Sequence, residues 1–169
     1  MTETIEVQER GRTIAWSFDE ILKYHGPGSP GGVAVAFKVM QRSFALLSPD
    51  GPPARREISV RTSFGGPGAR DAFEAVTRAV TGDRFQRDAE LARPERGRVL
   101  ERFVFEVGLA GSSVTLLLRD GFVTEEFIDL ARKDGRSGEE EARLDILKAE
   151  LAERVMGAEA PAVFDLAAD

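Results

Sequence analysis

The chain has 169 residues, 42% of them apolar and 31% charged, the proportions of one folded domain able to bury its own core without disulfides or metal. It has no cysteine and a single histidine, His25, which excludes disulfides, thiolate nucleophiles, iron–sulfur clusters, cysteine-type zinc sites and histidine clusters. The net charge of −6 argues against nucleic acid as the main partner, because a phosphate backbone needs a cationic footprint.

The opening MTETIEVQER carries charges where a secretory signal would be apolar. The longest strongly apolar run, residues 33–37, is too short to span a bilayer. A cytoplasmic protein with no membrane partner is therefore expected. Residues 1–16 read as an irregular or strand-like arm. Ser17 with Glu20 forms a capping box that starts a short helix over residues 18–24. GPGSPGG interrupts it, and Ser29 as N-cap with Pro30 behind it opens a second helix to residue 47. Phe37, Met40, Phe44 and Leu47 follow helical spacing there, and Lys38, Gln41 and Arg42 supply a polar stripe. Its first turns are apolar on every side, which predicts burial.

SPDGPP is a loop, and residues 57–63 alternate as a strand. A second glycine-rich turn, FGGPGARD, leads into a third helix over residues 69–80. Residues 85–91, 100–107 and 114–119 read as three more strands. LAGSS turns the last two into a hairpin with Phe103, Phe105 and Val107 facing Val114, Leu116 and Leu118. Thr124 caps a helix to residue 133. Ser137 with Glu140 makes another capping box for a last helix to residue 156, whose buried stripe is Leu144, Leu147, Leu151 and Val155. On it, Glu139 with Arg143 and Glu150 with Arg154 stand at i,i+4. The order predicts an α+β fold: a mixed or mostly antiparallel sheet of about four strands, with helices 30–47 and 69–80 on one face.

Two glycine-rich turns that each open a helix place two clusters of free amides at positive dipole ends. If they converge they suit a carboxylate or phosphate. The competing reading is that the glycines only make tight turns and Ser29 only caps. Neither turn is a P-loop, since no Gly-Lys-Ser/Thr follows. The crowded arginines from Arg84 to Arg102 read as the solvated face of a sheet; a site for a phosphorylated ligand or an acidic partner is the alternative.

The segments H-G-P-G-S-P-G (residues 25–31) and G-A-R-D-A (residues 68–72) sit in the contexts that mark the subunit-E family of formylmethanofuran dehydrogenase. That family carries H-G-H-x-C-P-G at the start of a long helix and C-x-x-D-A opening the next. The chain resembles it over residues 18–119, as a single domain with residues 120–169 as a C-terminal helical extension. His25, Gly26, Pro30, Gly31, Asp71 and Ala72 match the pattern. Pro27, Ser29 and Gly68 stand where it has metal ligands, so no metal and no cofactor are expected.

The resemblance implies that the two helix starts face each other, that the protein is a homodimer, and that its context is one-carbon metabolism with molybdenum or tungsten pterin enzymes. The ligand-binding candidates are His25, Ser29, Ser63, Gly68, Arg70 and Asp71, around a small anion. The reading that follows is a metal-free binding or accessory protein. Two alternatives stand beside it: an enzyme using His25 and Asp71 as acid and base, and a structural homodimeric module.

Overall fold

A computed structural model describes residues 2–168. Met1 and Asp169, the outer ends of the expected arm and the expected extension, lie outside the described residues. The segment read as an arm is a hairpin of β1 (Thr4–Glu9) and β2 (Arg12–Ser17). It closes through Arg10 and Gly11, both at positive φ (53° and 74°), the backbone a tight two-residue hairpin turn requires. Alternation puts Ile5 and Val7 into the core.

Helix α1 (Phe18–His25) starts on the complete Ser17/Glu20 capping box and ends at Gly26, whose φ of 93° strains any other residue. Helix α2 (Pro30–Leu47) follows. It packs between α3 (Pro67–Thr77) and α5 (Gly138–Met156), with the sheet beneath. Three-sided packing explains why residues 33–37 are all fully buried. That burial is complete within one chain, so the apolar start of α2 is not available to a second subunit.

The same packing overturns the polar stripe at Lys38. This side chain is fully buried, and its Nζ donates to Glu3 Oε2 at 2.9 Å. The N-terminal hairpin thus supplies the carboxylate that a buried ammonium needs.

The main sheet has five strands in the order β4-β3-β5-β6-β7. They are β3 (Ile58–Thr62), β4 (Phe85–Arg87), β5 (Val104–Leu109), β6 (Ser112–Leu118) and β7 (Phe164–Leu166). Only β3 with β4 is parallel. The fold is α+β with a mostly antiparallel sheet. The β5–β6 register pairs Phe105 with Leu116 and Val107 with Val114, which are inward neighbours on one face.

Strand β4 is shorter than its alternation predicts, because Asp88 caps a 3-10 turn at Ala89–Leu91. The C-terminal segment is not an appendage. Beyond α4 (Glu125–Arg132), α5 lends Leu151 and Val155 to the core shared with α2. The short α6 (Ala160–Val163) then delivers β7 to the edge of the sheet. No helix among the described residues is long and apolar enough to cross a membrane.

Helix α3 stops at Thr77, short of residue 80, because Arg78 turns left-handed (φ 57°). Two arginines cover its last carbonyls. Arg55 donates to Ala75 O (2.7 Å) and Val76 O (2.8 Å), and Arg84 donates to Thr77 O (3.0 Å) and Arg78 O (3.1 Å). The C-terminal end of α3 is therefore fully satisfied.

Candidate anion-binding cleft

The starts of α2 and α3 meet at glycines. A Cβ on Gly68 would lie 2.3 Å from Ser29 O, and one on Gly32 would lie 3.0 Å from Ala69 N. On the other flank of α2, a Cβ on Gly31 would lie 2.8 Å from Leu151 Cδ2. Side chains at these positions would hold the helices apart, so Gly31, Gly32 and Gly68 are what let the N-terminal turns of α2 and α3 converge beside α5.

That convergence sorts the six candidate residues into three places. His25 and Asp71 meet: Nδ1 lies 2.8 Å from Oδ2. A carboxylate only accepts, so Nδ1 carries the proton. His25 Nε2 is buried beside Gly28 and has no partner among the described residues. Gly68 is the crossing point itself, and Ser29 faces the cleft described below. Ser63 and Arg70 lie elsewhere. Ser63 is buried and donates to Arg102 O at 2.8 Å, closing the end of β3 onto the chain entering β5. Arg70 is exposed on α3 and does not line the cleft.

A cavity of about 390 Å³ opens where the two helix starts face α4 and α5. Ser29, Gly31 and Gly32 come from α2, and Gly65, Gly66 and Pro67 from the turn into α3. Neither helix has a side-chain cap: Ser29 makes no capping bond, and Gly66 has no side chain to make one. By contrast α1, α4 and α5 are capped by Ser17, Thr124 and Ser137.

Five cations surround this cavity, Arg87, Arg102, Arg132, Arg136 and Lys148, and no carboxylate lines it. Arg136 is committed to the last carbonyls of α4 and to Glu141, and Lys148 Nζ holds Gly28 O at 3.1 Å. Among the described residues, Arg87 and Arg102 have no side-chain hydrogen bond or ion pair. Arg87 lies flat over Gly65, where a Cβ would come within 2.5 Å of its guanidinium carbon. Burial pushes the Arg132 guanidinium below the usual arginine range, and the like charge of Arg102 pushes the same way. Glu101 offers Arg132 only a long contact of 3.9 Å. Phe64, stacked on Phe103 at 4.6 Å, and Phe127 form apolar walls.

Two other grooves differ in kind. One beside β1 and Ala54–Glu57 is lined by Glu9 and Glu57 as well as by arginines, and Glu9 holds both Arg55 and Arg56 (3.5 and 2.5 Å). One between α4 and α5 is lined chiefly by acidic residues, and its Arg143 is bound two-pronged by Glu126, both bonds at 2.8 Å. Arg143 therefore bridges two helices rather than pairing with Glu139. Arg154 likewise leaves Glu150 and donates to Phe122 O at 3.1 Å.

The arginine-rich stretch divides as well. Arg84 caps α3, Arg96 donates to the carbonyls of Leu100 and Leu118, Arg98 pairs with Asp129, and Arg87 and Arg102 reach the cleft. The reading as one solvated sheet face is corrected accordingly. Arg61, paired with Asp88 and Glu106 (3.1 Å), is what occupies the outer face.

The metal of the subunit-E family does not fit these residues. Pro27, Ser29 and Gly68 offer no thiolate or imidazole, and Asp71 is engaged as acceptor of the hydrogen bond from His25 Nδ1. Among the described residues, no three His, Cys, Asp or Glu side chains converge. No protein-family model matches the chain, and no curated protein matches it significantly.

Proposed function

We propose that this protein binds a small organic anion in the cleft between the α2 and α3 helix starts and α4–α5. The observation that carries the reading is charge sorting. A chain with a net charge of −6 surrounds one cavity with five cations and no carboxylate. Ser29, Gly31 and Gly32 at the uncapped start of α2 line the same space and favour the same sign of ligand. An accessory role beside a molybdenum or tungsten enzyme, which the resemblance implies, is compatible with such a binding protein. Family-like homodimerisation would have to use a surface other than the start of α2.

The acid–base alternative finds less support. A general base must reach the proton it takes, and the free nitrogen of His25 is buried under the residue 26–28 turn. His25 and Asp71 act instead as a tie between the end of α1 and the second turn of α3.

Calorimetric titration of the full chain with benzoate, sulfate and inorganic phosphate tests the reading. Millimolar or tighter binding is expected, weakened about tenfold or more by Arg102→Gln, since a charge-assisted contact is worth about 1.5–3 kcal/mol. Benzamide, the neutral analogue of benzoate, is expected not to bind. If benzamide binds as well as benzoate, or none of the anions binds, the reading fails.

A further inference from the structure

Resting on that reading, we infer that the ligand is a small phosphomonoester carrying one aromatic or heteroaromatic ring. Charge decides the head group. Arg87 and Arg102 are unpaired among the described residues, and Arg132 sits beside Arg102 with its nearest carboxylate at 3.9 Å. Three guanidinium groups and the uncapped start of α2 exceed what a single carboxylate would balance. A phosphomonoester brings a charge of about −1.5 to −2 and three acceptor oxygens, and it matches the planar fork of a guanidinium.

The turn into α3 sets a charged group beside an apolar one: Arg87 packs over Gly65, and both line the cavity. Phe64 packs directly against Gly66, where a Cβ would come within 2.5 Å of its ring. The polar floor and an apolar wall are therefore adjacent.

Shape decides the remainder. Phe64 and Phe127 are only half-buried, and both line the cavity. Their partly open faces suit a planar ring, which gains by stacking as well as by burial. The cavity volume of about 390 Å³ lies toward the small end of ligand pockets. It holds one ring and one phosphate, which separates this ligand class from dinucleotides and from an extended nucleic-acid strand.

Phenyl phosphate, benzoate and inorganic phosphate, titrated into the full chain at one ionic strength, test the assignment. Phenyl phosphate should bind about tenfold or more tighter than either of the others, a step of about 1.4 kcal/mol. Arg87→Ala, an exposed position whose loss leaves the core intact, should cut that preference over benzoate to about threefold or less with an unchanged melting temperature. Equal affinity for benzoate and phenyl phosphate would overturn the phosphate assignment, and equal affinity for inorganic and phenyl phosphate would overturn the ring. A phosphotyrosine peptide binding more tightly than phenyl phosphate would overturn the small-ligand assignment. In those cases the anion cleft still stands; if no anion of any kind binds, both readings fall together.

Discussion

His25 Nδ1 lies 2.8 Å from Asp71 Oδ2 across 46 residues of sequence, and this contact ties the end of α1 to the second turn of α3. The His25 side chain is 8% exposed and that of Asp71 33%. Removing the carboxylate strands a buried imidazole N–H, which costs about 1–3 kcal/mol. Asp71→Ala should therefore lower unfolding free energy by that amount in urea titrations, with anion affinity in the cleft nearly unchanged. A stability loss below about 0.5 kcal/mol, the scatter of ordinary surface substitutions, would show that the pair does not hold the helices.

Gly68 tests the convergence of the helix starts more severely than Gly31. Alanine at Gly68 places its Cβ 2.3 Å from a backbone oxygen of Ser29, whereas at Gly31 the nearest atom is the flexible Leu151 Cδ2 at 2.8 Å. Backbone cannot give way as a leucine methyl can. Gly68→Ala should cost about 1–3 kcal/mol or more and weaken anion binding, because overpacking must separate α2 from α3. Gly31→Ala should cost less. Reversal of that order, measured as urea midpoints, would contradict the crossing.

Much of this architecture was legible in advance. The capping boxes Ser17/Glu20 and Ser137/Glu140, the start of α2 at Pro30 and the β5–β6 register each rest on local chemistry that survives packing. Strand β7 was not legible, since three residues after a four-residue helix carry too little period to read. The β1–β2 hairpin was only half seen, although Ile5, Val7, Ile14 and Trp16 alternate around Arg10–Gly11. Lys38 misled for a different reason: its partner, Glu3, is 35 residues away.

At the site, the resemblance brought His25 near Asp71 and Ser29 near Gly68. It could not supply Arg132, Arg136 and Lys148, which come from α4, the α4–α5 loop and α5, beyond residues 18–119. Arg87 and Arg102 lay in the arginine-rich stretch, yet nothing local distinguished them from Arg84, whose guanidinium is consumed in capping.

The Lys38–Glu3 pair yields a cycle of substitutions. Glu3→Ala leaves a fully buried ammonium without its carboxylate and should destabilise by about 1–3 kcal/mol, less than the 3–5 of a wholly buried pair because Glu3 is 42% exposed. Adding Lys38→Met should restore most of that loss, since an apolar chain of similar length fills the same space. If the double variant is no more stable than Glu3→Ala alone, Lys38 is not a buried charge in need of a partner.

The same pair sets a pH dependence. Partial burial pushes the Glu3 carboxyl up, but hydrogen bonds from Lys38 and Gln41 outweigh it and hold the group below the usual glutamate range. A depressed carboxyl stabilises fully above its unfolded value and loses that contribution as pH falls through the folded one. Between neutral pH and about pH 3, wild type should therefore lose more stability than the Glu3→Ala/Lys38→Met variant, with the difference developing below about pH 4.5. Parallel stability curves in that interval would exclude the linkage.

Arg84 should prove structural rather than ligand-binding. Its guanidinium serves Thr77 O and Arg78 O at the end of α3, and burial pushes it below the usual arginine range. Loss of charged hydrogen bonds to carbonyls costs about 1.5–3 kcal/mol, so Arg84→Ala should be strongly destabilising. Lysine lacks the fork that spans two carbonyls, and Arg84→Lys should recover less than half. Anion affinity at temperatures where the variant stays folded should match wild type; a selective loss of binding would place Arg84 in the cleft.

The cleft itself should show a trade of stability for binding. Arg132 is disfavoured as a cation by burial first and by the charge of Arg102 second, and Arg98 adds a further like charge. Glu101 and Asp129 oppose this repulsion without outweighing burial and like charge, so Arg102→Gln should make the free protein more stable by a few tenths of a kcal/mol, up to about 1, the scale of partly exposed charge pairs. Salt supplies a second handle, because screening weakens repulsion between partly exposed charges. Raising sodium chloride from about 0.02 to about 0.3 M should stabilise wild type more than Arg102→Gln. Sulfate at equal ionic strength should add a further increment in wild type alone, since an ion that binds only the folded state stabilises it in proportion to occupancy. A destabilised Arg102→Gln protein, with the same salt response as wild type, would mean that Arg102 and Arg132 do not repel and that the cleft is not built around a missing negative charge.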